Sequence, residues 1–197
     1  MKTVMTLSKR SILLGIVGVF ICIPASLLAG QNDSDRATPA KGLIQLQAPL
    51  DEPEYYCVDV PGFRSNVQLQ SALVVHTCKP GAEDETFTIN HPSPGQIFME
   101  AYDLCVQADR AEVGSELYLK ACSDSPLQRF AFTTDAEIRI LQTSPEDLCL
   151  TVAAGTGEPT GGPSHLRRDV MFQTCSDIES ELSQWIIPGS SSENSAK

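Results

Sequence analysis

The stretch Tyr56-Cys57-Val58-Asp59-Val60, continued by Leu73-Val74-Val75-His76-Thr77-Cys78 and Glu85-Thr86-Phe87, decides the fold, because the chain writes it three times. The second copy is Leu104-Cys105-Val106-Gln107-Ala108, Leu117-Tyr118-Leu119-Lys120-Ala121-Cys122 and Gln128-Arg129-Phe130. The third is Leu148-Cys149-Leu150-Thr151-Val152, Val170-Met171-Phe172-Gln173-Thr174-Cys175 and Ser183-Gln184-Trp185. A short apolar segment opens each copy: Leu43-Ile44-Gln45-Leu46, Ile97-Phe98-Met99 and Ile138-Arg139-Ile140. The first cysteines are 48 and 44 residues apart, and the aromatic follows the second cysteine by 9, 8 and 10 residues. Within each copy apolar residues alternate over short runs, with Gly, Pro, Asp and Ser between them, which is the period of strands. No segment sustains a helical period. Such repeats cannot bury their apolar faces singly and must share a core. The expected fold class is all-β: four strands per repeat, closed about a pseudo-threefold axis that removes exposed sheet edges.

Outside the repeats the chain is polar, except at its start. Lys2, Lys9 and Arg10 precede the uncharged apolar run 12–23, Pro24 breaks any helix, and the small residues Ala29 and Gly30 follow. That order predicts a secretory signal peptide over 1–30 and a secreted product, periplasmic if the host is bacterial. A retained anchor is the competing expectation, since the run extended through Leu28 is nearly long enough to span a bilayer. Gln31 stands where lipoprotein processing needs a cysteine, so lipid anchoring is disfavoured and no membrane attachment is expected once the leader is removed. The segment 31–41 is expected to be a disordered linker, 42–188 the folded domain, and 189–197 a disordered Gly/Ser/Asn tail. Asn32-Asp33-Ser34 fits a glycosylation sequon.

The full chain of 197 residues, 42% of them hydrophobic, suits one domain with tails. Its 14 Lys and Arg against 25 Asp and Glu give a net charge of -11, and cleavage of the leader makes it -14. Such a field repels polyanions, so no nucleic acid partner is expected.

The repeated grammar resembles the ricin B-type β-trefoil lectins, whose subdomains carry a Cys-hydrophobic-Asp-hydrophobic strand, a Cys-terminated strand and a Gln-x-Trp signature. The likeness spans roughly residues 42 to 187. Gln128 keeps the first letter of the signature; Glu85 and Ser183 replace it in the other copies. Phe87, Phe130 and Trp185 hold its aromatic position and are expected to form the shared core rather than sugar platforms.

Removing the leader also removes Cys22, leaving six cysteines with fifteen possible pairings. Repeats that close alike select Cys57–Cys78, Cys105–Cys122 and Cys149–Cys175, with separations of 21, 17 and 26 residues. Closures of this length contribute about 3 kcal/mol each in the loop-entropy picture. The rival expectation, a zinc site, lacks close cysteine pairs or a clustered histidine.

The resemblance also implies a sugar site: an Asp two residues after the first cysteine, an aromatic two before the second, and an Asn just ahead of the signature. The first repeat offers Asp59, His76 and Asp84, with Glu85 beside it. A carboxylate accepts hydrogen bonds from sugar hydroxyls, and a flat imidazole can pack on the apolar face of a pyranose. Asp84 in place of Asn removes two amide donors and adds negative charge near Asp59. The second repeat has Gln107, Lys120 and Leu127 at these places and the third has Thr151, Gln173 and Leu182, so those pockets are expected to be inactive. Glu83-Asp84-Glu85 offers oxygen ligands to Ca²⁺, but an acidic triplet is ordinarily a solvated loop; no metal or other cofactor is expected.

Catalysis is not expected. With the bridges formed no thiol is free, and His76, His91 and His165 lie in separate segments without a supporting motif. The Gly-rich 155–163 lacks the end of a phosphate loop and is expected to be a flexible insertion, and Arg167-Arg168 beside it a basic surface spot. The expected partner is a glycan or polysaccharide bound by one surviving pocket. The alternative is a protein partner, bound or inhibited by a trefoil whose pockets are degenerate. The pairing is checked by mass mapping of non-reduced peptides, with three bridges inside repeats and no free thiol expected; a peptide linking Cys57 to Cys105 would overturn both the connectivity and the repeat register.

Overall fold

The structure, a computed structural model, describes residues 38–62, 64–141, 147–161 and 165–189. The expected leader, the sequon and the tail beyond Gly189 lie outside the described residues.

The first repeat contains β1 (Ala40–Gly42), β2 (Gln45–Leu46), β3 (Tyr56–Asp59), β4 (Val74–Thr77) and β5 (Phe87–Ile89). In the second are β6 (Ile97–Met99), β7 (Leu104–Ala108), β8 (Leu117–Lys120) and β9 (Phe130–Phe132). The third holds β10 (Ile138–Ile140), β11 (Leu148–Val152), β12 (Glu158–Pro159), β13 (Leu166–Thr174) and β14 (Trp185–Ile186). Every strand pair is antiparallel, and the described residues contain no α-helix, only short 3₁₀ turns between strands. One sheet runs β1-β5-β6-β7-β8 and the other β14-β2-β3-β4-β13-β11-β10-β9, with β12 on β13. A bridge between Glu116 and Met171 and the hydrogen bond from Leu73 N to Leu117 O, 2.8 Å, join the two.

These are two strands more than the repeat grammar implies. One is β1: Ala40 and Lys41, placed by their composition in a disordered linker, pair with Ile89 and Thr88. Without β1 the edge of β5 facing away from β6 would be open, and a strand needs only a backbone partner there. The other is β12, inside the segment expected to be flexible. Glu158 pairs with Arg167 and Pro159 with Leu166, so the described part of 155–163 is a hairpin arm.

Within each repeat the strand bearing the first cysteine lies against the strand that leads to the second. Bridges Cys57–Cys78, Cys105–Cys122 and Cys149–Cys175 close these pairs at Cα separations of 4.9, 4.9 and 5.0 Å. Phe87, Phe130 and Trp185 are all buried at the centre. Phe130 stacks on Phe172 at 6.2 Å, and the Trp185 indole N–H donates to the Leu150 carbonyl at 3.0 Å. Each such ring removes some 150–250 Å² from water, so the signature aromatics serve packing. Three antiparallel repeats around one shared core make the fold a β-trefoil.

The nine-residue β13 crosses from the third repeat to the first. Its C-terminal half pairs with β11, while Arg167, Arg168 and Asp169 pair with His76, Val75 and Val74 of β4. Two adjacent carboxylates fix the crossing. Glu52 accepts from Thr77 Oγ1 at 2.7 Å and from the Leu166 N–H at 3.2 Å. Asp51 accepts from Tyr56 Oη at 2.8 Å, from the Gly157 N–H at 2.8 Å and from Arg168. Position 157 must be glycine, because a Cβ there would stand 2.3 Å from the Tyr56 hydroxyl.

Arg168 is therefore not a surface charge. It is 7% exposed, lies over the Tyr56 ring at 5.3 Å and donates to Asp51, Tyr56 Oη and the Ala153 carbonyl. Burial works against ionisation of Asp51, but hydrogen bonds from Gly157, Arg168 and Tyr56 outweigh it and hold the carboxyl at about 2. A lowered carboxyl contributes stability above its ordinary value of 3.8 that is lost as pH falls toward 2. Arg168→Ala is expected to cost about 3 kcal/mol in urea unfolding at neutral pH. It is also expected to flatten the acid limb of the stability profile; an unchanged limb would show that the pair does not set it.

Candidate functional site

Four residues of the first repeat carry the sequence-predicted site, and strand geometry decides where each falls. Asp59 ends β3 opposite Val74, and His76 sits in β4 opposite Cys57 on one side and Arg167 of β13 on the other. Beyond Cys78 the chain turns at Pro80-Gly81, where Gly81 takes φ +90, and enters the 3₁₀ turn Glu83–Glu85. This folds Asp84 and Glu85 back beside the residue at the start of the turn, Lys79.

Lys79 is the centre of the arrangement, and the sequence pattern does not single it out. Its ammonium lies 3.1 Å from Asp59 Oδ2, 3.2 Å from Glu85 Oε1 and 3.8 Å from Asp84 Oδ2. Its backbone N–H donates to Glu85 Oε2 at 2.6 Å. Asp59, expected as an exposed acceptor, is 3% exposed, and Glu85 is 0% exposed. The reason is that Lys79 supplies the counter-charge that lets both carboxyls leave water.

A cleft of about 490 Å³ opens above this group. Asp59, His76 and Lys79 line it from the first repeat together with Gln68, and Thr160, His165 and Arg167 line it from the third. Asp84 and Glu85 do not line it; they hold Lys79 from behind. The β12–β13 hairpin is thus one wall of a first-repeat cleft, a contribution invisible within any single repeat. His76 is contacted there: its Nε2 lies 2.8 Å from Thr160 Oγ1, and its ring centroid is 5.7 Å from that of His165. Arg167 is exposed and binds Glu158 through Nε at 3.1 Å and Nη2 at 2.8 Å.

Burial sets the protonation of the group. It pushes Asp59 up to about 6, against the pull of the Lys79 charge, and the nearby Asp84 adds to the rise. Burial and then the Asp59 charge push Glu85 up to about 8. His76 is lowered, chiefly by burial, so its ring is neutral at neutral pH. Lys79 is raised: the charges of Asp59 and Glu85 overcome its own burial.

Donor atoms of Asp59, His76 and Glu85 all lie within 4.8 Å of one another, a spacing that a small cation can bridge. The Lys79 ammonium already answers these carboxyls at contact distance, and a metal ion would have to displace it. The corresponding places elsewhere are built differently. Gln107 accepts from Gln128 Nε2 at 3.0 Å, and Thr151 Oγ1 donates to the Leu182 carbonyl at 3.1 Å.

No family model matches this chain, and no curated protein matches it. Solved structures do. The β-trefoil lectin of the Vibrio vulnificus hemolysin/cytolysin, determined with N-acetyl-D-lactosamine bound, superposes with a TM-score of 0.57 at 12% identity, over 77% of this chain and 96% of the lectin. A designed threefold-symmetric protein, ThreeFoil, superposes with a TM-score of 0.53 at 8% identity, over 75% of this chain and 98% of the design. The similarity establishes the β-trefoil, shared by lectins and by a symmetric design alike.

Removing the ammonium should raise both buried carboxyls further. A raised carboxyl binds its proton in the folded state where the unfolded chain has released it, so stability falls as pH rises through that window. Lys79→Met is therefore expected to lower the melting temperature more at pH 8 than at pH 4.5. An equal loss at both would assign Lys79 to packing alone.

Proposed function

We propose that this protein is a secreted, non-enzymatic carbohydrate-binding module with one working pocket per chain, in the first repeat. The observation that carries it is the cleft in which Asp59, His76 and Lys79 meet the β12–β13 hairpin. Asp59 offers a carboxylate to paired hydroxyls, and charge-assisted bonds of this type are the stronger ones. Lys79 supplies the donor that an Asn at position 84 would have given, which compensates for Asp84. The imidazoles of His76 and His165 present flat faces to the apolar side of a ring. A lectin of the same fold binding a disaccharide makes the assignment chemically reasonable, while the pocket residues themselves carry the argument.

The test is a glycan array at neutral pH, with and without Ca²⁺, on wild type and Asp59→Asn. Binding independent of Ca²⁺ is expected. Asparagine keeps the volume of a buried side chain whose truncation would leave Lys79 and Glu85 short of a partner. Loss of a charge-assisted bond is expected to weaken binding by on the order of ten- to a hundredfold. Gln107→Ala and Thr151→Ala should leave it unchanged. A folded wild type that binds no glycan, or a folded Asp59→Asn that binds as well as wild type, would sink the assignment and favour a protein partner.

A further inference from the structure

We propose that Glu85 is a neutral carboxylic acid whose proton stands where the second repeat has an amide N–H, and that this proton positions Asp59 at the floor of the cleft. The protonation stands apart from the sugar assignment; its consequence for binding rests on it.

The second repeat shows what this place in the fold requires. Gln128, two residues before Phe130, makes four hydrogen bonds. Its Oε1 accepts from the Ser123 N–H at 2.8 Å and from Gln96 Nε2 at 3.1 Å. Its Nε2 donates to Gln107 Oε1 at 3.0 Å and to the Ala121 carbonyl at 2.9 Å. Glu85, two residues before Phe87, keeps the accepting half. Its Oε2 takes the Lys79 N–H at 2.6 Å, and Lys79 follows Cys78 as Ser123 follows Cys122.

The other half cannot be kept by a carboxylate. Glu85 Oε1 occupies the donor's place, is buried and makes no hydrogen bond. Asp59 Oδ1, on the residue equivalent to Gln107, is likewise buried with none. The Lys79 ammonium, 3.2 Å from Oε1, pairs with it in charge but without hydrogen-bond geometry, and two enclosed acceptors left without a hydrogen bond are costly. The two carboxyls present oxygens within 4.8 Å of each other, and one proton between them would resolve both, with Oε1–H donating to Oδ1 as Gln128 donates to Gln107. The proton belongs on Glu85, because the Lys79 ammonium makes a hydrogen bond to Asp59 Oδ2 at 3.1 Å, which favours the ionised aspartate, whereas its 3.2 Å contact with Glu85 Oε1 lacks hydrogen-bond geometry.

The charges around the pair agree. Asp59 on β3 and neutral His76 on β4 present polar atoms within 4.8 Å of Glu85, Lys79 after Cys78 touches both Glu85 and Asp84, and the Tyr102 phenol feels the charges of Asp59, Glu83 and Asp84. With Glu85 neutral, one ammonium serves Asp59 and Asp84. Ionising Glu85 would add a third negative charge to a site that has one cation in contact.

Glutamate labelled with ¹³C at the carboxyl, with Glu85→Gln to assign the signal, reads the titration directly. A midpoint near 8 is expected, moving down in Asp59→Asn where the neighbouring charge is gone. A midpoint near 4.5, the ordinary glutamate value, would overturn the proposal. Thermal unfolding separates positioning from packing. Wild type should lose melting temperature between pH 6 and 8, above the range in which the raised Asp59 also titrates and where only the unfolded state has released the Glu85 proton, and Glu85→Gln should lose little there. Glu85→Ala should be destabilised throughout; a Gln variant no better than Ala also overturns the proposal. Where the array yields a glycan, that glycan's binding should fall above pH 8 in wild type, and this alkaline fall should be absent in Glu85→Gln. An empty array removes the sugar assignment, and the carboxyl midpoint still decides this one.

Discussion

Three short repeats of this length cannot each enclose a core, so they share one, and everything else in the molecule follows from that constraint. Phe87, Phe130 and Trp185 must all point inward, and the paired strands ahead of them must bring their cysteines within bridging distance. These positions are held alike in all three copies because each copy contributes to the same buried volume. The polar row just outside the aromatics is under no such demand. It has only to satisfy its own buried hydrogen bonds, and the three copies do so with different chemistry: an amide pair at Gln107 and Gln128, a hydroxyl on a carbonyl at Thr151, and two carboxyls with an ammonium at Asp59, Glu85 and Lys79.

That divergence accounts for the special character of the first repeat. A neutral amide pair is self-sufficient across the link itself: the Gln128 donor faces the Gln107 acceptor, and no counter-charge is needed. Two carboxylates at the same places would be all acceptor, and a buried acceptor without a donor is costly. Lys79 offsets part of that cost but remains about a third exposed at the cleft, so the compensation for the buried pair is also a group that a ligand can touch. In a chain of net charge -11 the partly exposed ammonium is a local exception, and hydrogen-bonding recognition suits a site that offers both a cation and carboxyls.

Much of this was legible in the sequence because it is periodic. The cysteine pairing, the inward aromatics and the all-β class follow from residues that recur at matched spacing. What was not legible is what breaks the period. Lys79 lies one residue past a repeated cysteine, at a place with Ser123 in the second copy and Ser176 in the third, so no pattern marks it. Arg168 reads as a surface charge in the linear chain because its partners, Asp51 and Tyr56, lie more than a hundred residues away. Asp59 looks exposed for the same reason: its burial depends on a counter-charge supplied by a neighbouring turn. The Gly-rich 155–163 reads as a flexible insertion because its strand is only two exposed residues, Glu158–Pro159, too short to show a period.

The same crossing strand joins these two kinds of exception. Because β13 runs alongside β4, Arg167 comes to lie opposite His76, and the hairpin that begins at Glu158 closes over Asp59 rather than over the third repeat's own Thr151. Asp51 and Glu52, in the turn between β2 and β3, tie that hairpin down through Gly157, Leu166 and Arg168. Insertion of length in one repeat has therefore been spent on the cleft of another. A repeat protein that keeps one recessed cleft does not need the residues of that cleft to come from one repeat; it needs one strand long enough to reach its neighbour and buried charges that hold it there.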